Sequence, residues 1–295
     1  MSVKKYEVLL KAVELGSLTR AAEVMGLTQS GVSHIVGSIE SELGVRLLNR
    51  GRSRAVLTPE GELLLPAIRG IVHSAEQLRQ LSAAINGLSC GTVRIGAFTS
   101  VAVHWLPGML KTFSAQYPSV EIELLSGDYH DIACWVSSGE VDIAFTAYPE
   151  ELSCRCIPLR EDRLLAVLPA DHPLAHAGVY PLSRAADEPF ISLLKESDHD
   201  ARRALESAGI TPRVKYYTKD DYAIIAMVEC GLGMSIMPEL LLRGQSRQIA
   251  VLPLDPPVTR VINLAIPDPA GGSPAARAFA SHAAAWLEEN EPRRP

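Results

Sequence analysis

The stretch Ser17–Gly44, SLTRAAEVMGLTQSGVSHIVGSIESELG, decides how the rest of the chain is interpreted. It predicts two short helices joined by a tight turn, because Ser17 and Thr28 are suitable N-caps and Gly26 suits a left-handed helix end. Apolar residues at helical spacing would pack the second helix on the first and leave short polar side chains facing outward. Such a helix can present hydrogen-bonding groups to base edges in a major groove. An ordinary helical hairpin on a protein surface is the alternative.

The residues that flank this stretch would complete a small basic head. Residues 4–15 place apolar side chains on one helical face and predict a preceding helix. After Gly44, the run VRLLNRGRSRAVLT alternates apolar and basic residues and predicts a two-stranded wing. Its arginines, Arg50, Arg52 and Arg54, suit phosphates or a narrow minor groove, with a solvated charged hairpin as the alternative.

Composition and charge restrict the classes of function. The 295 residues are 47% hydrophobic and 21% charged, which is ordinary for a globular protein of two or three domains. No apolar run reaches the roughly 20 residues that span a bilayer, and charges interrupt the N-terminal apolar stretch, unlike in a signal peptide. We therefore expect a cytoplasmic protein with no membrane partner. The five cysteines are odd in number and scattered, which argues against a disulfide scaffold.

The charge is unevenly distributed along the chain. The net charge is −6, yet residues 1–58 hold eight lysines and arginines against five glutamates. A modestly basic head therefore precedes an acidic body. A single copy of such a head would bind DNA weakly, so several heads would have to act together.

A long amphipathic helix is predicted from Pro59 to about Asn86, because Thr58-Pro59-Glu60 is a suitable helix start. Its single apolar stripe has no partner nearby in sequence, which favours pairing with a second copy of the chain. Pro66 in its interior should kink the helix. Residues 86–91, NGLSCG, form the expected linker.

Beyond Gly91, short apolar runs alternate with helical stretches. Residues 248–254 and 260–266 are two of the expected strands, and residues 101–117 and 238–244 are two of the expected helices. The alternation predicts a parallel, doubly wound α/β sheet. One domain of about 200 residues and two smaller lobes that share a hinge are both compatible with it.

The sequence carries no catalytic signature. It has no phosphate-binding loop, dinucleotide fingerprint or nucleophile elbow, and no Cys/His set at metal spacing. We therefore expect no catalytic activity, no cofactor and no bound metal.

The head contains the patterns S-x-T-x-A-A, T-Q-S-x-V-S, E-x-x-L-G-x-x-L-x-x-R and L-T-x-x-G. The residues that match are Ser17, Thr19, Ala21, Ala22, Thr28, Gln29, Ser30, Ser33, Glu40, Leu43, Gly44, Leu47, Arg50, Leu57, Thr58 and Gly61. With these residues, the chain resembles the LysR-type transcriptional regulators. The resemblance implies an α/β multidomain fold: a winged helix-turn-helix DNA-binding domain at 1–58, a dimerisation helix and hinge linker at 59–91, and a two-lobed effector domain like periplasmic binding proteins at 92–295.

The same resemblance implies an arrangement of lobes and a function. The first lobe would take about 92–160 and 267–290, and the second about 163–265, with chain crossings near Arg160–Asp162 and Ala265–Pro267. The protein would be a sequence-specific regulator whose binding to double-stranded promoter DNA responds to a small-molecule effector in the C-terminal domain. It would act as a homodimer or homotetramer together with the transcription machinery.

Candidate DNA contacts follow from the family positions and from the wing. They are Ser17, Thr28, Gln29, Ser30, Ser33, His34, Arg50, Arg52 and Arg54. For Ser17 and Thr28, helix capping alone is an equally good interpretation. Because His34, Gly37 and Ser38 make the recognition helix lightly charged, base contacts should be few.

Candidate effector contacts lie where strands end and helices begin. They are Phe98, Thr99, Ser100, Val101, Ser126, Asp128, Ser197, His199, Arg202, Thr218 and Gly231. The loop from Phe98 to Val101 would suit an anion, through its hydroxyls and free backbone N–H groups. Plain N-capping by Thr99 or Ser100 is the alternative. The carboxyl-terminal edge of an open sheet is the usual place for ligands.

Cys154 and Cys156 raise an alternative function. A DNA-binding regulator could be under redox control through this pair, or could have no effector. Cysteines two apart in a strand point the same way, but they form a disulfide poorly without distortion.

Overall fold

A computed structural model describes residues 2–49, 55–85, 91–194, 200–267 and 272–291. The N-terminal head consists of helices α1 (Val3–Glu14), α2 (Leu18–Met25) and α3 (Gln29–Leu43). The expected caps are present, since Ser17 Oγ accepts from the Arg20 N–H at 3.3 Å and Thr28 Oγ1 from the Gly31 N–H at 3.1 Å. Apolar residues of all three helices form one buried core, which confirms the predicted helix-turn-helix.

The first and last residues of the wing lie side by side as two antiparallel segments. Leu48 and Leu57 form an antiparallel bridge, and the Asn49 N–H donates to the Val56 carbonyl at 2.8 Å. The Ala55 N–H donates to the Gly16 carbonyl at 2.9 Å, so the wing is attached to the turn between α1 and α2. The wing arginines Arg50, Arg52 and Arg54 lie outside the described residues.

The long helix α4 (Pro59–Ile85) is continuous through Pro66. Its first turn is packed against the wing: a Cβ at Gly61 would lie 2.3 Å from the Leu47 carbonyl oxygen, so only glycine fits there. Ile68 is buried in the core of the head, and therefore the first half of the expected dimer stripe packs within its own chain. Leu63 and Leu78 remain 80% and 69% exposed.

The rest of the chain forms two lobes joined by two long strands. In chain order the elements are β1 (Gly91–Ala97), α5 (Thr99–His104), α6 (Leu106–Gln116), β2 (Val120–Ser126), α7 (Tyr129–Ser138), β3 (Ile143–Thr146), β4 (Arg155–Pro169), β5 (Tyr180–Pro181), β6 (Pro189–Leu193), α8 (Asp200–Ser207), β7 (Arg213–Thr218), α9 (Asp221–Glu229), β8 (Ser235–Pro238), β9 (Ile249–Ile266) and α10 (Pro274–Asn290). Lobe I contains β1 to β3, α5 to α7 and α10, and lobe II contains β5 to β8 with α8 and α9. Each lobe has its own buried core.

The sheet is mixed, in contrast to the predicted parallel sheet. Its order is β2-β1-β3-β9-β4-β8, with β1 parallel to β2 and β3, and with β9 antiparallel to both β3 and β4. Strands β6 and β7 form a separate parallel pair. The antiparallel pairing arises because the chain passes from lobe I to lobe II along β4 and returns along β9. The two strands expected at 248–254 and 260–266 are therefore one strand.

Two of the predicted helices differ from what the structure shows. The stretch 101–117 is divided between α5 and α6, which meet at Trp105. Residues 239–244 form turns and not a helix. Among the described helices, none is long and apolar enough to cross a membrane.

The two crossings lie side by side. Arg160 pairs with Ile262, and Asp162 pairs with Arg260. Because Ala265 already belongs to the core of lobe I, the chain returns near Arg260, a few residues before the expected Ala265–Pro267. Antiparallel neighbours must cross at the same level, so the first crossing determines the second.

Candidate DNA-binding face and effector cavity

The first half of α3 presents an uninterrupted polar face. Thr28, Gln29, Ser30, Ser33 and His34 are all exposed there, so the structure brings these five predicted residues together. Their apolar neighbours on the opposite face, such as Val32 and Val36, are buried in the head. Ser17 lies half-buried at the start of α2.

Ser38 differs from its expected outward position. Its hydroxyl accepts a hydrogen bond from Lys5 Nζ at 2.8 Å, and the same ammonium group binds Glu42 at 2.6 Å. Lys5 of α1 thus contacts part of the second half of the α3 face, whereas the polar side chains of the first half remain exposed.

A cavity of about 270 Å³ lies between the two lobes. Lobe I contributes the start of α5 and the β2–α7 turn, and lobe II contributes α8, α9 and β8. Its walls are formed by Phe98, Thr99, Ser100, Ser126, Gly127, Asp128, Tyr129, Asp131, Leu193, Asp200, Ala201, Lys219, Asp221, Ile224, Ser235, Ile236, Met237, Pro238, Leu241 and Arg260. Five residues singled out from the sequence, Phe98, Thr99, Ser100, Ser126 and Asp128, are therefore brought together.

Four other predicted effector residues do not line this cavity. Val101 is fully buried in the core of lobe I, and Gly231 lies exposed in the left-handed turn that ends α9. Arg202 faces Glu206 at 4.0 Å on its own helix, and Thr218 accepts a hydrogen bond from the Asp220 N–H. Ser197 and His199 lie outside the described residues.

Arg260 forms the centre of the cavity floor. Its Nε and Nη2 donate to Asp162 Oδ2 at 3.0 and 2.7 Å, and Nη2 also donates to Ser100 Oγ at 2.8 Å. Its Nη1 donates to the Tyr129 hydroxyl at 2.5 Å and to Asp200 Oδ2 at 2.7 Å. The five N–H groups of a guanidinium are thereby all used within the protein. Arg260 is held in place by its own chain, with its plane over the Phe98 ring at 4.8 Å.

Asp200 connects lobe II to lobe I. The Tyr129 hydroxyl donates to its Oδ2 at 3.0 Å, and the Tyr148 hydroxyl donates to its Oδ1 at 2.5 Å. Burial raises the pKa of both phenols, so they remain protonated donors. The next turn of α8 adds Arg203, whose guanidinium lies 3.9 Å above the Tyr148 ring and binds a carboxylate of lobe I. Helix α8 is thus tied across the cleft.

Carboxylates outnumber cations in the wall. Asp128, Asp131, Asp200 and Asp221 face only Lys219 and Arg260 among the described lining residues. Burial raises the pKa of Asp221 to about 6, although a hydrogen bond with Thr99 opposes the shift. Within the described residues, no cluster of His, Cys, Asp and Glu could hold a metal ion.

The chain matches two family profiles that together cover most of its length. The profile described as "LysR substrate binding domain" matches residues 86–288, and that of the "Bacterial regulatory helix-turn-helix protein, lysR family" matches residues 3–62. The chain belongs to the LysR family of transcriptional regulators. A relative from Bacillus subtilis, the uncharacterised HTH-type transcriptional regulator YvbU, is 31% identical over 282 residues, which cover 95% of this chain and 96% of YvbU.

Solved structures of similar fold support the architecture of this LysR regulator. Full-length OxyR from Pseudomonas aeruginosa superposes with a TM-score of 0.77 at 23% identity, over 97% of this chain and 95% of that one. The effector-binding domain of QuiR, solved with shikimate, superposes with a TM-score of 0.61 at 24% identity, over 68% of this chain and 99% of that one. The head, the linker helix and the two-lobed effector domain of the predicted fold are thereby confirmed.

Relatives of this LysR regulator are named as transcriptional regulators and not as enzymes. The chain is thus a DNA-binding regulator with an effector domain. The redox alternative gains no support from its cysteine pair. The Cys154 and Cys156 sulfurs lie 4.0 Å apart, and burial raises the pKa of Cys154 to about 12. A thiol that stays protonated at neutral pH is a poor nucleophile.

The sequence alone did not indicate several residues that lie in the cavity or bind its arginine. Arg260 is a single charged residue within an apolar run, and that isolation was the available signal, whereas Asp162 and Asp221 lie among other charged residues. Tyr129 and Asp200 gave no such signal, because an aromatic or acidic residue at a helix start is ordinary.

Proposed function

We propose that this LysR regulator senses a small polar molecule in the cavity between its lobes and transmits its presence to promoter DNA. The observation that carries the proposal is the convergence of polar groups from both lobes on Arg260, which lies on one of the two strands that connect them. A molecule that binds groups of both lobes favours one lobe arrangement over others. Its differential affinity would shift the population of that arrangement.

We infer that the DNA contacts are made by the exposed face of α3 and by the wing. Thr28, Gln29, Ser30, Ser33 and His34 would reach base edges and nearby phosphates, with Ser17 at the start of α2. Arg50, Arg52 and Arg54 would neutralise phosphates. If so, replacing Arg50 or Arg52 with alanine lowers the salt slope of DNA binding by about 1 for each residue. An unchanged slope on a genomic fragment selected by the protein would overturn the wing assignment.

We infer a homodimer or a homotetramer, because the second half of α4 leaves Leu78 exposed on a long helix. Several heads would then share one promoter and compensate for the modest charge of each. Contact with the transcription machinery and a cytoplasmic location are part of the same proposal, since the promoter is the site of action.

The chemistry of the wall narrows the class of effector. The sequence of the loop around Thr99 predicts an anionic effector. The cavity favours a neutral or cationic polar molecule, because its carboxylates outnumber its cations and Arg260 has no N–H left to offer. A volume of about 270 Å³ suits a small metabolite. QuiR, of similar fold, was solved with shikimate, which keeps hydroxylated carboxylic acids within the test.

A thermal-shift screen of the full chain tests this proposal, because a ligand that binds only the folded form stabilises it. Three sets of compounds are compared: small amines and amino alcohols, neutral polyols, and carboxylic acids that include shikimate. We expect a shift with the first or second set that Asp221→Asn abolishes and that Arg247→Ala, outside the cavity, retains. A shift with carboxylic acids alone would overturn the charge assignment, and a shift retained by Asp221→Asn would overturn the cavity as the site.

A further inference from the structure

Two side chains of the linker helix α4, one helical turn apart, contact lobe I next to the end of α7. Arg69 Nη1 donates to Glu140 Oε2 at 2.6 Å and to Ser138 Oγ at 3.4 Å. His73 Nε2 lies 3.6 Å from Asp142 Oδ1 and 2.8 Å from Gln77 Nε2 of its own helix. Ser138 is the last residue of α7, and Glu140 and Asp142 belong to the short connection that follows it. The linker helix is therefore held to the effector domain at the end of α7, in addition to its packing against α10.

The other end of α7 lies in the cavity. Its N-cap is Asp128, and its first residue, Tyr129, accepts a hydrogen bond from Arg260 and donates one to Asp200 of lobe II. Ten residues of α-helix span about 15 Å. A single helix thus extends from the groups that join the two lobes to the groups that hold the linker helix.

Helix α7 is fixed at its start, along its length and after its end. At the start, Asp128 and Asp131 form a reciprocal capping box, with distances of 2.9 and 3.1 Å. Along its length, Ile132 and Val136 are buried in the core of lobe I. After its end, Asp142 Oδ2 accepts from the Arg94 N–H of β1 at 2.7 Å, which fixes the connection to the sheet. A shift of α7 as a rigid helix would therefore move Tyr129, Glu140 and Asp142 together.

We propose that Arg69 and His73 are positioning residues that couple the linker helix, and hence the DNA-binding head, to the state of the cavity through α7. The inference rests on the proposed function, which makes the cavity the effector site. A change in the lobe arrangement alters the bonds of Tyr129 with Arg260 and Asp200. Helix α7 moves with them, and the two contacts at its far end bring α4 along. Coupling of this kind is a free energy shared between two sites and is measurable without the natural effector.

A double-mutant cycle in the full-length protein, followed by hydrogen exchange of the α4 amides, tests the coupling. Tyr129→Phe perturbs the cavity by removing the hydroxyl that bridges Arg260 and Asp200. We expect it to change exchange over residues 66–76 by about fivefold, the size of a coupling of about 1 kcal/mol. The same change should vanish in the Arg69→Ala/His73→Ala background. Asp200→Asn serves as a second perturbation in case Tyr129→Phe folds poorly.

Arg79→Ala is the matched control, because Arg79 lies on the same helix but binds Glu7 of the head and not the effector domain. The effect of Tyr129→Phe should persist in that background. The coupling is disproved if Tyr129→Phe changes the exchange of the α4 amides equally with and without Arg69 and His73. It is also disproved if neither Tyr129→Phe nor Asp200→Asn changes this exchange. Failure of the ligand screen alone would instead disprove the proposed cavity function and leave the result of this cycle unaffected.

Discussion

Asp200 Oδ2 lies 2.7 Å from Arg260 Nη1, so a carboxylate of lobe II binds an arginine on the strand that connects the lobes. Asp162 binds the same guanidinium at 2.7 Å from the other connecting strand. Arg260 and Asp162 are buried, and the side chain of Asp200 is 13% exposed. Bonds of this kind are shorter and stronger than neutral hydrogen bonds. The two lobes are thus joined across the cleft by a small number of charged contacts.

Removal of the Asp200 charge should therefore loosen the cleft. We expect Asp200→Asn to lower the free energy of unfolding by about 2 kcal/mol, because Arg260 and two phenols lose a charged acceptor. Denaturant unfolding measures the change. Asp171→Asn, at an exposed position, should stay within about 0.5 kcal/mol of the wild type. Equal stability of the two variants would mean that the interlobe bond contributes little.

Asp221 makes stability depend on pH in a defined direction. An aspartate in the unfolded chain titrates near pH 3.9, whereas burial raises the pKa of Asp221 to about 6 in the folded state. Between these values the folded protein binds more protons than the unfolded chain. The contribution of Asp221 is therefore fully present below about pH 4 and is lost as the pH rises through about 6.

Asp221→Asn removes this dependence. We expect the variant to exceed the wild type in free energy of unfolding by about 2 kcal/mol at pH 7.5 and to match it near pH 4. Unfolding measured at intervals between pH 4 and 7.5 checks both ends of the curve. A constant difference across this range would show that the carboxyl does not titrate as stated.

The close approach of Gly61 to the wing predicts a strong difference between two glycine substitutions. A Cβ at Gly61 would lie 2.3 Å from the Leu47 carbonyl oxygen. Because this oxygen belongs to the backbone, relieving the clash would require the main chain to move. Gly61→Ala should destabilise the head by about 1–3 kcal/mol. Gly37→Ala in α3 is the control, because its Cβ would meet nothing within 4 Å and alanine favours the helix by about 0.5–1 kcal/mol. We expect the midpoint temperature of thermal unfolding to fall in Gly61→Ala and to rise in Gly37→Ala.

The cysteines should differ in reactivity according to burial. Cys134 and Cys230 are exposed, whereas burial raises the pKa of both Cys154 and Cys156. Alkylation of the native protein at pH 7, followed by peptide mass mapping, should label the exposed pair first. Labelling in urea is the control, since these four cysteines should then react alike; Cys90 lies outside the described residues. Preferential reaction of Cys154 in the native protein would restore the redox alternative.

Much of the head was predictable because its signals are local. Ser17, Thr28 and Gly26 act on backbone groups within a few residues, and the apolar spacing of α3 selects its buried face directly. Ser38 was an exception, because its contact with Lys5 spans 33 residues. The sheet was harder: apolar runs indicate strands, but not whether neighbouring strands run parallel.

The sequence by itself determined the family pattern, the helical head, the long linker helix and the absence of a catalytic signature. Only the tertiary structure decided the cavity. Arg260 lies 98 residues from Asp162 and 60 from Asp200, and an isolated arginine in an apolar strand shows that it needs partners without showing which. The antiparallel register of β4 and β9 supplies Asp162, and the packing of lobe II supplies Asp200. Long-range pairing of this kind depends on how whole elements pack, which no short stretch of sequence encodes.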